Sequence, residues 1–259
     1  MAEPLDAINY GISIGIPLSG KPVAPEWAIS LAVQSWPINV AVNWLTVKGK
    51  PVDEARNLIV KYAKERNVRY LWFVDEDVAV PHFAVTKLMY ELRHRQMEDP
   101  KANIIGGVYC TKSEVPEPIV FKKPIVGCYW DWTIGEVFEC DHVGCGCMLI
   151  DMSVFDQVPE PWFKTVEKIY DNSLVFQPFD DHTPTVLRDQ GNEDSYFTAK
   201  VQLAGFKIYA HGGVLCPHWD AKNGKAYVLP MTSHPVTSVD PEVIKAAQVL
   251  AESKIGAEG

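Results

Sequence analysis

Nowhere does the chain hold the run of about 18 consecutive apolar residues that a membrane-crossing helix needs. Its start, Met1-Ala2-Glu3-Pro4-Leu5-Asp6, lacks the basic flank and apolar core of a secretory leader. A soluble cytoplasmic protein is therefore expected, in the host cytoplasm if the gene is viral. Positive charge is short as well: 24 Lys and Arg against 33 Asp and Glu leave a formal net charge of -9. That balance argues against a protein that grips nucleic acid by blanket phosphate neutralisation, and a small anionic substrate would need a metal. The six cysteines (Cys110, Cys128, Cys140, Cys145, Cys147 and Cys216) are too sparse over 259 residues for a disulfide framework and read as buried thiols. No internal repeat is present. The 47% hydrophobic content is that of an ordinary globular protein with one large core or two unequal lobes.

What is present is an apolar run that stops abruptly on acids, Tyr70-Leu71-Trp72-Phe73-Val74-Asp75-Glu76-Asp77. A buried strand has no use for carboxylates at its end unless something positive sits there, and a divalent metal carrying a phosphorylated ligand is the simplest occupant. The helix expected after Pro81, with Phe83, Leu88, Met89 and Leu92 in an apolar stripe, makes the layout strand, acids, turn, helix. Strand alternation points the middle acid, Glu76, away from its neighbours.

Other elements follow from periodicity. Strands are expected at residues 8–16 and Ile38–Leu45, and at Asn103–Tyr109 with its Gly106-Gly107 pair. Two more are expected at Val143–Asp151 and Phe206–Ala210. The first runs into a polar turn at Pro17-Leu18-Ser19-Gly20-Lys21, where open α/β sheets place ligands, and a glycine pair marks a backbone passing close to something. Helices are expected over Glu26–Gln34, from Asp53 as a cap through Ala63, and from Glu193-Asp194 to Leu203. A loop is expected at Val47–Val52. Residues 111–139 read as a small hairpin with an aromatic face at Tyr129-Trp130-Asp131-Trp132, and residues 159–190 as a long lid or acceptor loop. Cys140, His142, Cys145 and Cys147 have the residue types of a zinc site but not its spacing, and Cys145 and Cys147 would share one face of a strand. Helical periodicity returns from Pro241 to Ile255.

Taken together and in order, these motifs resemble the nucleotide-sugar glycosyltransferases of the GT-A fold, particularly the family 2-like enzymes. The resemblance rests on Ala55-Arg56-Asn57, Asp75-Glu76-Asp77 as the DxD motif, Gly144-Cys145-Gly146-Cys147, Pro161-Trp162-Phe163, Glu193-Asp194, and Gly205-Phe206 leading to His218. It implies a Rossmann-like α/β fold with a mixed, mostly parallel sheet flanked by helices. The catalytic domain would cover residues 1–220, with a nucleotide part at about 8–110 and an acceptor part at about 111–220. Residues 221–259 would form an extension carrying a helix.

The same resemblance implies Mn2+ or Mg2+ held by Asp77, Asp75 and His218, with Asp75 also facing the donor's ribose. Pro17, Arg56, Asn57, Gly106 and Gly107 are the further candidates for binding the nucleotide sugar. Asp194 is expected as general base with Glu193 positioning the acceptor, and Trp130, Trp132 and Trp162 as an acceptor platform. The departures are Cys145 in place of a small residue, no evident aspartate for the nucleotide base near the amino terminus, and none of the membrane helices of the large polysaccharide synthases.

The activity so implied is metal-dependent, inverting transfer of a sugar from a nucleoside diphosphate sugar, UDP-sugars favoured, to a hydroxyl. Saccharide or glycoconjugate acceptors rank first and a hydroxymethylated base in DNA second, the latter as in some phage enzymes. A nucleotidyltransferase or a non-catalytic nucleotide-sugar binding protein is the alternative class, and a homo-oligomer is compatible with the chain.

Overall fold

The computed structural model describes residues 11–122, 127–165 and 192–230. In chain order these form β1 (Ile12–Leu18), α1 (Pro25–Ala32), β2 (Val42–Lys48), α2 (Val52–Glu65), β3 (Tyr70–Val74), α3 (Ala84–Glu98) and β4 (Ala102–Val108). There follow β5 (Val120–Phe121), β6 (Val137–Cys140), β7 (His142–Val143), β8 (Cys147–Asp151), α4 (Val154–Gln157), α5 (Glu193–Leu203), β9 (Lys207–Leu215), β10 (His218–Asp220) and β11 (Lys225–Tyr227). Seven strands make one sheet in the order β2-β1-β3-β8-β4-β9-β6. β8 and β6 run antiparallel to their neighbours and the other five share one direction, so the sheet is mixed and mostly parallel, as the GT-A resemblance implies.

The strand sequences explain the layering. All five residues of β3 are fully buried, and they alternate: Leu71 and Phe73 join the core under α2, α4 and α5, while Tyr70, Trp72 and Val74 join the core under α1 and α3. Burying each such side chain contributes about 1.5–3 kcal/mol before conformational entropy is charged against it. A strand covered on both faces can meet water only at its ends, so polar residues collect there. β8, from the later half of the chain, is inserted between β3 and β4. This brings the turn before β8 beside the acids that follow β3. Among the described residues no helix is long and apolar enough to cross a membrane.

Several expected boundaries are corrected. The second strand lies at Val42–Lys48 rather than Ile38–Leu45 and absorbs the start of the expected loop, because Ile38 is 90% exposed and Asn39 adopts a positive φ of 61°. Asp53 does not cap α2: Pro51 precedes the helix, and the Asp53 carboxylate instead accepts from Thr165 N at 2.9 Å. The strand expected over Val143–Asp151 is two, β7 and β8, separated by Gly144-Cys145-Gly146. Cys145 and Cys147 accordingly face opposite sides of the sheet. The hairpin expected in 111–139 is replaced by separate pairings, β5 with β7 and β6 with β9. The last strand continues through His211-Gly212-Gly213 to Leu215. The first residues of the expected 8–16 strand, most of the 159–190 loop and the Pro241–Ile255 helix lie outside the described residues.

Gly106 and Gly107 are mid-strand and buried, so they offer no backbone to a ligand. They make room for neighbours: a Cβ on Gly106 would stand 2.7 Å from Val143 Cγ2, and one on Gly107 2.7 Å from Val214 Cγ1. Gly106→Ala is expected to cost roughly 1–3 kcal/mol of stability through overpacking, read as a lower urea midpoint at unchanged slope. A midpoint equal to that of the parent protein would refute this account of the glycine.

Candidate active site

β3 ends at Val74, and the next residue, Asp75, is fastened by its N–H to Gly146 O at 3.1 Å. From the other side α2, amphipathic and packed on β1 and β2, delivers Arg56 from its second turn. α5 begins at Glu193, capped by Asn192, whose side chain accepts from Ser195 N at 3.0 Å. Three elements thus converge on one guanidinium. Arg56 Nη2 lies 2.9 and 3.0 Å from the two oxygens of Asp75, 3.4 Å from Glu193 Oε1 and 3.5 Å from Asp194 Oδ1. Only 1% of the Arg56 side chain is exposed, and the rings of Phe73 and Phe163 lie 5.5 and 5.9 Å from its carbon centre.

One positive charge against three carboxylates, away from bulk water, sets the proton affinities. Burial lowers that of Arg56, but Asp75, Asp194 and Glu193 outweigh it and hold the guanidinium charged. Asp75 is pushed up to about 6, by burial first and then by Asp194 and Asp77, with Arg56 opposing. Glu193 is pushed up to about 7 by burial and by Asp194. Asp194 goes the other way. Burial would raise it, yet Arg56, His142 and the Cys145 N–H together keep it below the usual carboxylate range.

The Asp194 carboxylate is held at one oxygen. Oδ2 accepts from Cys145 N at 3.0 Å, whereas Oδ1 is buried without a hydrogen-bond partner. Behind it, the Thr198 hydroxyl lies 3.0 Å from Asp194 O, and His142 Nδ1 lies 2.9 Å from that hydroxyl. The turn that supplies Cys145 N is pinned by Tyr109, whose hydroxyl accepts from Gly146 N at 3.1 Å. Gly146 must be glycine for that approach, since a Cβ there would stand 2.7 Å from Val78 and 2.8 Å from the Tyr109 ring.

On the other side of Asp75 stands Asp77. Its Oδ2 is 2.6 Å from Lys112 Nζ and 3.4 Å from His218 Nε2, and these two neighbours override burial to lower its pKa. His218 Nδ1 is 2.7 Å from Cys110 O. A carbonyl can only accept, so Nδ1 carries the hydrogen and Nε2 is the nitrogen turned toward Asp77, the arrangement typical of a metal-ligating histidine. Glu76 faces away and takes both the N–H and the hydroxyl of Ser19, tying the end of β3 to the turn after β1.

Asp77 and His218 fit a hard divalent cation, with Nε2 and a carboxylate oxygen facing one another. Among the described residues no group of three His, Cys, Asp or Glu side chains is placed to hold a metal ion. Asp75, expected as a third ligand, is tied through both oxygens to Arg56, which leaves one carboxylate and one imidazole here, and Mg2+ is commonly held by one or two carboxylates with substrate phosphates and water in its remaining positions. Cys140 and Cys145 are thiols whose ionisation burial opposes.

Other expected residues have different surroundings. Asn57 spends its amide on the neighbouring backbone: Oδ1 accepts from Trp162 N (3.0 Å) and Phe163 N (3.1 Å), and Nδ2 donates to Phe163 O (2.7 Å). Arg56 is enclosed, and the Asn57 amide is committed to these backbone groups although its side chain is only part-buried. Trp162, 3% exposed, packs its ring on Phe155 in the core, so it provides no open stacking surface. Trp130 and Trp132 are half-buried before β6, with Trp132 stacked on Phe138 at 5.7 Å. Pro17 lies inside β1 opposite Val47, and it is the following turn that reaches Glu76. Lys112 and Tyr109 were not foreseen, and His142, which has the residue type of a zinc ligand, instead meets the Thr198 hydroxyl behind Asp194. Lys112 and Tyr109 lie at the end of β4 or just past it, where a sequence shows no period to mark them.

No family model matches the chain, and no curated protein matches it in sequence. In three dimensions it is similar to the crystal structure of A197 from STIV, with a TM-score of 0.54 and 14% identity over 89% of this chain and 99% of that one. It is also similar to S. aureus TarS 1–349 in complex with UDP, with a TM-score of 0.41 and 15% identity over 92% of this chain and 63% of that one. The likeness to A197 establishes a shared fold over most of the chain's length.

The acid cluster makes stability depend on pH. From about pH 4 to about pH 7 the folded chain keeps protons on Asp75 and Glu193 that the unfolded chain has released, so both groups lower stability as pH rises through that window. Asp194, held low, acts oppositely and below the range of an ordinary aspartate. Glu193→Gln is expected to raise stability at about pH 8 by on the order of 1–3 kcal/mol and to flatten the decline, measured by urea unfolding across that range. An unchanged pH slope contradicts the placement of Glu193 in the cluster.

Proposed function

We propose that the chain is a metal-dependent glycosyltransferase that moves a sugar from a nucleoside diphosphate sugar, a UDP-sugar in first place, to an acceptor hydroxyl with inversion. The observation that carries this reading is the Asp194 carboxylate: one oxygen fixed by a backbone N–H, the other buried, ionised and without a hydrogen-bond partner. A carboxylate oriented in this way is suited to receive the proton of an attacking hydroxyl. Glu193 beside it, with a pKa of about 7, orients that hydroxyl.

The donor would lie along the end of β3. Asp75 keeps one side open and faces the ribose, while Asp77 and His218 would hold Mn2+ or Mg2+, which supplies charge neutralisation for the departing diphosphate. As the glycosidic bond to that phosphate breaks, its electron pair leaves with the diphosphate, the acceptor oxygen bonds to the anomeric carbon from the opposite face, and Asp194 takes the proton. Arg56 keeps the three acids together before and after this transfer, while their summed negative charge falls by one as Asp194 takes the proton. With a net charge of -9, a saccharide or glycoconjugate acceptor stands ahead of DNA.

Two measurements test the reading. A thermal-shift series of nucleoside diphosphates is expected to raise Tm for one of them, and only with Mn2+ or Mg2+ present. No shift with any nucleotide and metal sinks the proposal. Asp194→Asn is expected to cut release of UDP from a UDP-sugar, with water or sugar as acceptor, by about 100- to 10,000-fold while leaving UDP affinity within a few-fold. Undiminished turnover in that variant removes Asp194 from the chemistry.

A further inference from the structure

Asp77 already holds a cation, and that cation is a side chain. Lys112 reaches its Oδ2 at 2.6 Å from the segment that follows β4, and the same oxygen is the one that faces His218 Nε2 at 3.4 Å. A divalent ion bound between Asp77 and His218 would sit on that oxygen at about 2.0–2.2 Å. The ammonium and the metal would then compete for one oxygen at repulsive distance, so they exclude each other.

We propose that Lys112 is a latch on the metal site: it occupies Asp77 in the free protein and yields to a divalent cation only when a diphosphate arrives to take up the ammonium. This rests on the nucleotide-sugar reading above, and it assigns Lys112 a positioning role toward the donor phosphates. The placement of Lys112 suits the exchange. Its side chain is 30% exposed and that of Asp77 37%, so both stand at the rim of the site rather than locked inside it. The backbone beneath is held independently of the ion pair: Thr111 N donates to Glu117 O at 2.9 Å, and the Thr111 and Ser113 hydroxyls lie 2.6 Å apart. The stem can therefore swing without unfolding its support.

Another carboxylate within electrostatic reach of Lys112 is Asp220. It already accepts from Lys222 N at 3.0 Å and from Asn223, so it offers the displaced ammonium less than a fresh diphosphate does. Metal and diphosphate must then strengthen one another's binding, and by linkage the effect is reciprocal.

The test uses the full chain, Mn2+ alone and UDP as probes, and isothermal titration rather than turnover. Lys112→Met keeps the length of the stem and removes its charge. It is expected to bind Mn2+ in the absence of nucleotide about tenfold more tightly than the parent protein, and the enhancement of Mn2+ affinity by UDP is expected to shrink by a similar factor. Lys112→Arg, which keeps the cation, is expected to retain the weak nucleotide-free binding. Adding Asp77→Ala to Lys112→Met is expected to abolish the gain.

Equal Mn2+ affinity in Lys112→Met and the parent overturns the latch, as does a gain that survives Asp77→Ala. If Lys112→Met gains Mn2+ affinity while UDP binds neither protein, the exclusion of metal by Lys112 stands and the donor reading falls. If UDP and Mn2+ bind both proteins with the same mutual enhancement, the donor reading stands and the latch falls.

Discussion

The arrangement turns on a single buried guanidinium. Asp75 and the adjacent pair Glu193-Asp194 come from elements far apart in sequence, and the three would repel one another in a site closed to bulk water. Arg56 is what allows them to share it. Its own burial is made tolerable by those three charges and by the faces of Phe73 and Phe163. The next residue completes the enclosure, because Asn57 clamps the backbone of Trp162 and Phe163 and so fixes the ring that covers the guanidinium. Two adjacent residues on α2 thus supply the charge and the roof.

The site has two sides with different characters. Toward Asp194 it is closed, with backbone N–H groups and buried rings fixing each group. Toward Asp77 it is open, with Lys112 and Asp77 both about one-third exposed. The three acids around Arg56 part in proton affinity: burial, with repulsion from Asp194, raises Asp75 to about 6 and Glu193 to about 7 against the pull of Arg56, while Arg56, His142 and the Cys145 N–H hold Asp194 low. Carboxylates thus acquire different proton affinities by position alone.

Much of this was legible in the sequence because it lies on regular elements. An unbroken apolar run ending in Asp75-Glu76-Asp77 marks a doubly covered strand with a charged end, and the structure makes it β3. Helical spacing from Asp53 placed Arg56 at the start of α2, although the buried ion pairs it makes there depend on which strand ends lie opposite. Glu193-Asp194 before an apolar helix reads directly. What the sequence hid depends on non-local pairing. Nothing in Val143–Asp151 separates one long strand from two short ones until Tyr109 fills the space above Gly146, and nothing local says that β8 enters the sheet between β3 and β4. Lys112 is one lysine among many, and only the folded chain sets it on Asp77.

The three-residue turn Gly144-Cys145-Gly146 touches both sides at once. The carbonyl of Gly146 receives Asp75 N, and the N–H of Cys145 is received by Asp194 Oδ2, one residue away. The backbone of Asp75 and the carboxylate of Asp194 are thereby both anchored on two adjacent residues of one turn, which the Tyr109 hydroxyl pins in place. Such a turn works as a ruler. Helices and loops around it can vary in length or drift in sequence while the two anchor points keep their spacing, as long as the backbone of Cys145 and Gly146 keeps its shape.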